Sequence, residues 1–232
     1  ARRALADQPD SAMAHSVLGT VYLHLNRKED ARAELALSQK FDPRNISHRT
    51  WIAIAAYHEG DYARTEEIER KVIEEAPLFF PARYILAEAL RERNRLDAAR
   101  REAEKILEQD PQNIHGIYVL ARIHLDADDL VAARAMLDRV SETAGSNFRW
   151  RLHRALLLAL ERKRAEALRI MDAETLKYAE IALFAPANAA EFYAILGEKG
   201  KALVWLDRAI RNGDDRAEWF RRDPLLASIR QE

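Results

Sequence analysis

The sequence predicts an all-α fold: a right-handed α-solenoid of about six helix-turn-helix hairpins, closed by C-terminal capping helices. The first observation is spacing, because four prolines follow one another at intervals of 34 residues: Pro9, Pro43, Pro77 and Pro111. A fixed period of this size indicates one supersecondary unit repeated along the chain. The second observation is composition. Glycine and proline occur only 7 times each, while alanine, leucine, glutamate and arginine dominate, which favours helices.

Each predicted unit carries small residues at two fixed positions. The first four units begin three residues after each proline, at Ala12, Ile46, Phe80 and Ile114. The fifth begins 34 residues after Ile114, at Phe148. Position eight holds Gly19, Ala53, Ala87, Ala121 and Ala155. Position twenty holds Ala31, Thr65, Ala99, Ala133 and Ala167. Because side chains this small let two backbones approach, we expect two closely packed antiparallel helices in every unit.

The predicted helix ends also recur with the period. The residue before each first helix is Ser11, Asn45, Phe79, Asn113 or Asn147, and four of these five are good N-caps. The turn between the two helices falls near Asn26, Gly60, Asn94 and Asp128. These residue types tolerate the backbone geometry that ends a helix, so each unit is predicted to be a helical hairpin.

The regular pattern predicts a division of the chain into four parts. Residues 1–11 form the end of a truncated repeat, 12–147 four regular units, 148–213 two divergent hairpins, and 214–232 the capping helices. In the fifth unit Gly145 replaces the proline, and we expect the second helix to continue through Leu168, Met171, Leu176 and Ala179. A sixth hairpin is predicted to begin near Pro186 and to stop at Asn212-Gly213-Asp214. Trp219 and Phe220 are then expected to pack on the end of the stack.

Composition and motifs exclude several function classes. Lys+Arg total 37 and Asp+Glu total 38, so the net charge of -1 gives no electrostatic reason to bind nucleic acid or an anionic membrane. The chain has no cysteine, no apolar run of about 18 residues and no signal peptide, which predicts a cytoplasmic, soluble protein. It contains no phosphate-binding, dinucleotide-binding or zinc-protease motif, so we expect no catalysis and no cofactor.

The histidines raise the question of a metal site. His24 and His58 share position thirteen in adjacent units, but only Glu92 and Asp126 follow at that position. A metal site needs three or four converging ligands, so we expect none here.

Taken together, the repeated positions resemble the tetratricopeptide repeat. The resemblance rests on the small residues at positions eight and twenty, proline at thirty-two, and an apolar residue at seven (Leu18, Ile52, Leu86 and Leu120). The chain departs from the family pattern at position four, where the usual aromatic residue is replaced by His15, Arg49, Arg83 and Ile117. In the second unit, Glu69 also stands where the family has an aromatic residue.

The resemblance implies a partner-binding site on the concave face, which the first helix of each hairpin lines. The partner residues implied are Val17, Thr20, Trp51, Ile54, Tyr57, His58, Tyr84, Glu88, Arg91, Tyr118 and Arg122. Tryptophan, tyrosine and arginine are the types that dominate binding hot spots. The family subtype that grips a C-terminal carboxylate uses Lys and Asn at positions five and nine of its first two units. Those positions hold Ser16, Thr20, Thr50 and Ile54, so we expect no such clamp.

The expected function is therefore a protein-interaction module that binds a peptide or helix in this groove. The tail from Ala190 to Leu226 resembles the ends of repeat regions in large bacterial regulators, which carry kinase, winged-helix or cyclase domains upstream. Residue 1 falls inside a repeat and is not a methionine, so we expect a missing upstream part. The partner is another protein or that missing effector domain. Two alternatives are a non-catalytic part of a multidomain enzyme or transcriptional regulator, and a self-association module.

Overall fold

A computed structural model of the chain describes residues 1–140, 147–182, 185–214 and 216–230. Every regular element within these ranges is a helix, which confirms the all-α class. The helices are α1 (Arg2–Asp7), α2 (Ala12–His24), α3 (Lys28–Phe41), α4 (Ile46–His58), α5 (Tyr62–Glu75), α6 (Phe80–Glu92), α7 (Leu96–Gln109), α8 (Ile114–Asp126), α9 (Leu130–Asp138), α10 (Phe148–Leu160), α11 (Arg164–Ile170), α12 (Ala173–Ile181), α13 (Ala185–Ile195), α14 (Lys199–Arg211), α15 (Ala217–Arg222) and a 3-10 helix, Pro224–Ile229.

The chain divides into two compact units, Ala1–Glu102 and Ala103–Glu232. In the first unit α2 packs against α3 and α4 packs against α5. In the second unit α8 packs against α9, α10 against α11, and α13 against α14, while α12 contacts both α10 and α13. Each of these pairs is a hairpin of the predicted kind, and consecutive hairpins follow one another as in a helical-repeat protein.

The predicted close-approach positions are buried in every unit. The eight alanines at positions eight and twenty are each 0 % exposed, Thr65 likewise, and Gly19 is also buried. At Gly19 an added Cβ would lie 2.6 Å from Cγ of Leu35, so that side chain would have to move. Small residues are therefore needed where the two helices of a hairpin cross.

The helix boundaries also form as predicted. The side chains of Ser11, Asn45, Asn113 and Asn147 accept hydrogen bonds from free backbone N–H groups at the starts of α2, α4, α8 and α10. The turn residues take positive φ angles: Asn26 at 53°, Gly60 at 77°, Asn94 at 58° and Asp128 at 57°. The same geometry recurs at Arg162 (61°) and Gly197 (73°), so the divergent hairpins keep the turn of the regular ones.

Two of the residues that replace the aromatic ring at position four, His15 and Arg83, form polar links within their hairpins. The His15 ring lies 2.6 Å from Glu34 on α3, and the Arg83 guanidinium donates to Glu102 on α7 at 2.6 Å. Both side chains also contact the carbonyl of the proline that precedes their unit. Each side chain thus connects the two helices of its hairpin and the loop before it through polar contacts. An apolar aromatic ring could connect them only by packing.

The prediction of one continuous second helix in the fifth hairpin is wrong. Helix α11 ends at Ile170, Met171 turns into the core, and Asp172 begins α12 by accepting a hydrogen bond from the Thr175 N–H at 2.9 Å. The Thr175 hydroxyl donates to the Ile170 carbonyl at 2.9 Å and so satisfies the end of α11. An aspartate that can serve as an N-cap offers the backbone an alternative to continuing the helix. Gly145 lies outside the described residues.

The C-terminal elements follow the predicted order. Pro186 lies in the first turn of α13, and α14 ends at Arg211 before Gly213, whose φ is 91°. Trp219 on α15 is 8 % exposed and belongs to the core of the second unit. Asp223 then caps the 3-10 helix by accepting from the Leu225 N–H at 2.9 Å.

Enlarging a close-approach residue is expected to destabilise its hairpin. Ala121→Leu places three more carbon atoms where α8 meets α9 and should lower the free energy of unfolding by about 1–3 kcal/mol. The control is Ala135→Leu, because Ala135 is exposed on α9 of the same hairpin and leucine suits a helix. Urea denaturation followed by circular dichroism measures both. Equal stability of the two variants would contradict the packing described here.

Candidate partner-binding site

In the first unit, six of the predicted partner residues remain accessible. Val17 is 46 % exposed, and the others are half-buried: Thr20, Trp51, Ile54, His58 and Tyr84. They lie on α2, α4 and α6, the first helices of three consecutive hairpins. The first unit therefore retains a surface on which aromatic and apolar side chains can meet a partner.

Helix α2 carries an uncovered apolar stripe beside these residues. Met13, Val17 and Val21 are spaced four apart, so they share one helix face, and they are 69 %, 46 % and 47 % exposed. On the neighbouring helix α4, Trp51 and Ile54 pack against the buried core of α2 and α3 while remaining partly accessible. We call these five residues the apolar strip. Several exposed apolar side chains on one helix face and its neighbouring helix are typical of interaction sites.

Three further predicted partner residues of the first unit are buried in a polar network. The Tyr57 hydroxyl donates to Glu92 at 3.1 Å, and Arg91 donates to both Glu92 and Glu88. Tyr57, Glu88 and Arg91 are 7 %, 8 % and 9 % exposed. Arg91 is thus paired with two carboxylates of its own helix, and the Tyr57–Glu92 hydrogen bond joins this group to α4, an arrangement that the repeat spacing alone does not indicate.

In the second unit the two predicted partner residues are covered by the chain itself, which corrects the expectation that they face an open groove. Tyr118 is 1 % exposed, its ring stacks on His153 with centroids 5.7 Å apart, and the Arg149 guanidinium lies 5.4 Å from the ring centroid. Burial raises the pKa of the Tyr118 hydroxyl. This aromatic residue contributes to the core of the second unit.

Arg122 is covered in a different way, by carboxylates. Its guanidinium donates to both oxygens of Glu191 on α13, at 2.7 and 2.8 Å, and its Nε donates to Asp126 at 2.7 Å. An oxygen of Asp223 lies 3.7 Å away. Arg122 is 5 % exposed and Glu191 is 0 % exposed, so this is a buried ion pair with two-pronged geometry. Sequence reasoning missed Glu191 because it lies 69 residues from Arg122 in a divergent hairpin.

Within the described ranges, no three histidine, aspartate or glutamate side chains converge where a metal ion would bind. The same ranges contain no helix with the length and apolarity to cross a bilayer. Partial burial acts to raise the pKa of Glu66, but hydrogen bonds from Arg70 and Arg95 lower it overall.

Consecutive hairpins with tight helix crossings and an accessible apolar strip define a helical-repeat scaffold, a class of protein that binds other proteins. Family models of the tetratricopeptide repeat match residues 1–46, 56–116 and 98–157. The chain belongs to the tetratricopeptide repeat family, whose arrays are protein-interaction modules. A comparison with curated proteins finds no match.

Several solved structures share the fold. A tetratricopeptide repeat protein from Parabacteroides merdae is 14 % identical, with 87 % of this chain and 80 % of that chain covered and a TM-score of 0.54. Pseudomonas aeruginosa PilF is 17 % identical, with 86 % and 90 % covered and a TM-score of 0.58. Yeast Tom70 is 18 % identical over 100 % of this chain and 45 % of that chain, with a TM-score of 0.57. Identities this low show a common fold alone.

Proposed function

We propose that the chain is a peptide-binding module whose partner lies along the first helices of the first unit. The observation that carries this proposal is the apolar strip: five apolar side chains on α2 and α4 remain accessible, whereas other apolar residues of the same helices, such as Leu18 and Ala53, are buried. Tyr84 on α6 extends the accessible set. The partner is a protein segment, helical or extended, that offers bulky apolar side chains.

Charge has a secondary role in this site. Arg91 is paired with Glu88 and Glu92. Positions five and nine of the first two 34-residue repeats carry no lysine that would hold a terminal carboxylate. His58 is half-buried, as are Thr20 and Tyr84, which also carry polar groups. Affinity for the partner therefore comes from burying apolar and aromatic surface, and internal peptide segments are accepted as well as chain ends.

Replacing Trp51 by alanine is expected to weaken the binding of the partner strongly. A peptide is first selected from a random 12-residue display library against the full chain, and its Kd is measured by isothermal titration calorimetry. Trp51→Ala should make the binding free energy of this peptide less favourable by about 2 kcal/mol or more, the usual threshold for a hot spot. Tyr84→Ala should weaken it as well, because the two rings lie on first helices of consecutive hairpins.

Lys71→Ala provides the matched control. Lys71 is exposed on α5, and the described structure shows it in an ion pair with the exposed Glu67. Replacing Lys71 by alanine should therefore leave the Kd of the peptide unchanged. A selected peptide that binds the Trp51→Ala variant as tightly as the unmodified chain would show that the binding site lies elsewhere.

A further inference from the structure

The C-terminal segment, residues 216–230, packs onto a first helix of the second unit. The 3-10 helix within it contacts α13, and Leu226 (1 % exposed) and Ile229 (5 % exposed) enter the core of that unit. The Ser228 hydroxyl donates to the Ala194 carbonyl at 2.9 Å. The chain end therefore covers α13 with both apolar and polar contacts.

The same segment also reaches α8, two hairpins earlier. Asp223 lies 3.7 Å from the Arg122 guanidinium, and the Trp219 ring centroid lies 5.8 Å from the same group. Arg216 approaches the Trp219 ring at 4.4 Å, so the indole has guanidinium groups as neighbours. Arg122 occupies position nine of its 34-residue repeat, and the residue at position nine of the repeat that begins at Ile46, in the first unit, is the accessible Ile54. The segment thus sits where the equivalent surface of the first unit is open.

We propose that the surface formed by α8 and α13 is a second peptide-binding site, and that the C-terminal segment is the ligand that fills it in cis. The ligand chemistry follows from the segment itself: an indole, a carboxyl group four residues later, then a proline and two leucines. Arg122 recognises the carboxyl group and the indole together. The proposal concerns a surface separate from the apolar strip, so either can fail without the other.

The charges around Asp223 make the docked segment sensitive to pH. Arg122 faces Glu191 and Asp126 as well as Asp223, so one guanidinium serves three carboxyl groups. Burial first, and then the charge of Glu191, raise the pKa of Asp223 well above its ordinary range, although Arg122 acts to lower it. Two further charged neighbours are Arg216, which donates to both carboxylate oxygens of Asp214, and Arg230, which donates to the Asp223 backbone carbonyl.

A raised carboxyl pKa in the docked state means that docking is favoured when Asp223 is protonated. The contribution of Asp223 to the stability of docking is fully present below the ordinary pKa of aspartate. It declines as the pH rises through the raised pKa that Asp223 has in the docked state. We therefore expect the segment to leave the surface more often as the pH rises above the ordinary pKa of aspartate. Asp223→Asn keeps the shape of the protonated group and should remove this dependence.

The first test supplies the segment in trans. A fluorescein-labelled peptide of residues 216–230 is added to the full chain and to a Trp219→Ala/Leu226→Ala variant whose own segment docks poorly. Fluorescence anisotropy should show binding to the variant and at least tenfold weaker binding to the unmodified chain, while a peptide lacking the tryptophan should not bind. A folded variant that fails to bind the peptide would overturn the proposal.

The second test detects undocking directly and does not require that variant to fold. Because the chain has no cysteine, Leu226→Cys introduces a single buried thiol within the segment. Its modification rate, corrected for the rate of a free thiol at each pH, should rise at least tenfold between pH 4 and pH 9, a range that begins near the ordinary pKa of aspartate. The rise should disappear when Asp223→Asn is added.

Ala133→Cys is the matched control, since Ala133 is fully buried on α9 and lies outside the segment. Its thiol should react slowly and independently of pH after the same correction. Equal rates for the two thiols at every pH would show that the segment opens only when the whole unit unfolds, and it would then be an ordinary part of the fold.

Discussion

At pH 9, replacing Glu69 by glutamine is expected to stabilise the first unit by several kcal/mol. Glu69 is 0 % exposed between α4 and α5, where the other hairpins carry an apolar residue such as Leu35 or Leu137. Burial raises the pKa of this carboxyl to about 8, against the weaker effects of a hydrogen bond from Thr50 and the charge of Arg49. A buried carboxylate with so few compensating contacts opposes folding once it ionises.

The direction of the pH dependence follows from the raised pKa. The folded chain holds a proton on Glu69 that the unfolded chain loses near pH 4–5, so stability falls as the pH rises between that value and about 8. Each pKa unit corresponds to roughly 1.4 kcal/mol, which puts the full effect on the order of 3–5 kcal/mol. Urea denaturation at pH 5, 7 and 9 measures it. Wild type and Glu69→Gln should differ little at pH 5 and most at pH 9.

Glu67→Gln is the matched control for this experiment. Glu67 is exposed on the same helix, and its hydrogen bond with Lys71 lowers its pKa, so it stays ionised throughout the range tested. Its replacement should not change the pH dependence. A constant difference between Glu69→Gln and the wild type from pH 5 to pH 9 would mean that Glu69 does not hold a proton in the folded chain.

Arg122→Met is expected to destabilise the second unit by about 3–5 kcal/mol, because it leaves Glu191 buried without its partner. Methionine keeps the long unbranched shape, so the change tests charge more than volume. The double variant Arg122→Met/Glu191→Met should recover most of the loss, since two apolar residues replace the pair. Urea denaturation of the two single variants and the double variant gives the coupling energy between the residues.

The control for Arg122 is an ion pair nearer the surface. Arg134 bonds Glu161 on the neighbouring hairpin, and its side chain is 31 % exposed. Arg134→Met should cost about 1 kcal/mol or less. If Arg122→Met costs no more than Arg134→Met, the buried cluster is not a determinant of stability, and the long-range pair with Glu191 contributes little.

The elements that sequence reasoning predicted well are those that depend on neighbouring residues. Asn94 marks a turn because its own backbone adopts φ of 58°, and Asn113 marks a helix start because it caps an N–H two or three residues away. Ala121 marks a helix crossing because its partner helix follows after one short turn. In a repeat protein such local signals recur at the same position of every repeat, so a match in several repeats is less easily due to chance.

The exposure of the candidate site could not be predicted in the same way. Ile54 and Arg122 hold the same repeat position, yet one is accessible and the other is buried beneath Glu191 and Asp223. That difference depends on which later part of the chain folds back over the position. The helix break at Asp172 was missed for a related reason, because the choice between capping and continuing a helix depends on Thr175 and Arg151 as partners.

The Arg122–Glu191 pair also has a consequence for the order in which the second unit folds. Contacts within hairpins join residues 19 apart, as in His15–Glu34 and Arg83–Glu102, whereas Arg122 and Glu191 are 69 apart. Closing the longer loop costs about 1 kcal/mol more in chain entropy, with no hydrogen bond gained until the ends meet. We therefore expect hairpins to nucleate independently along the chain, and the contact from α8 to α13 to form after the hairpin between them.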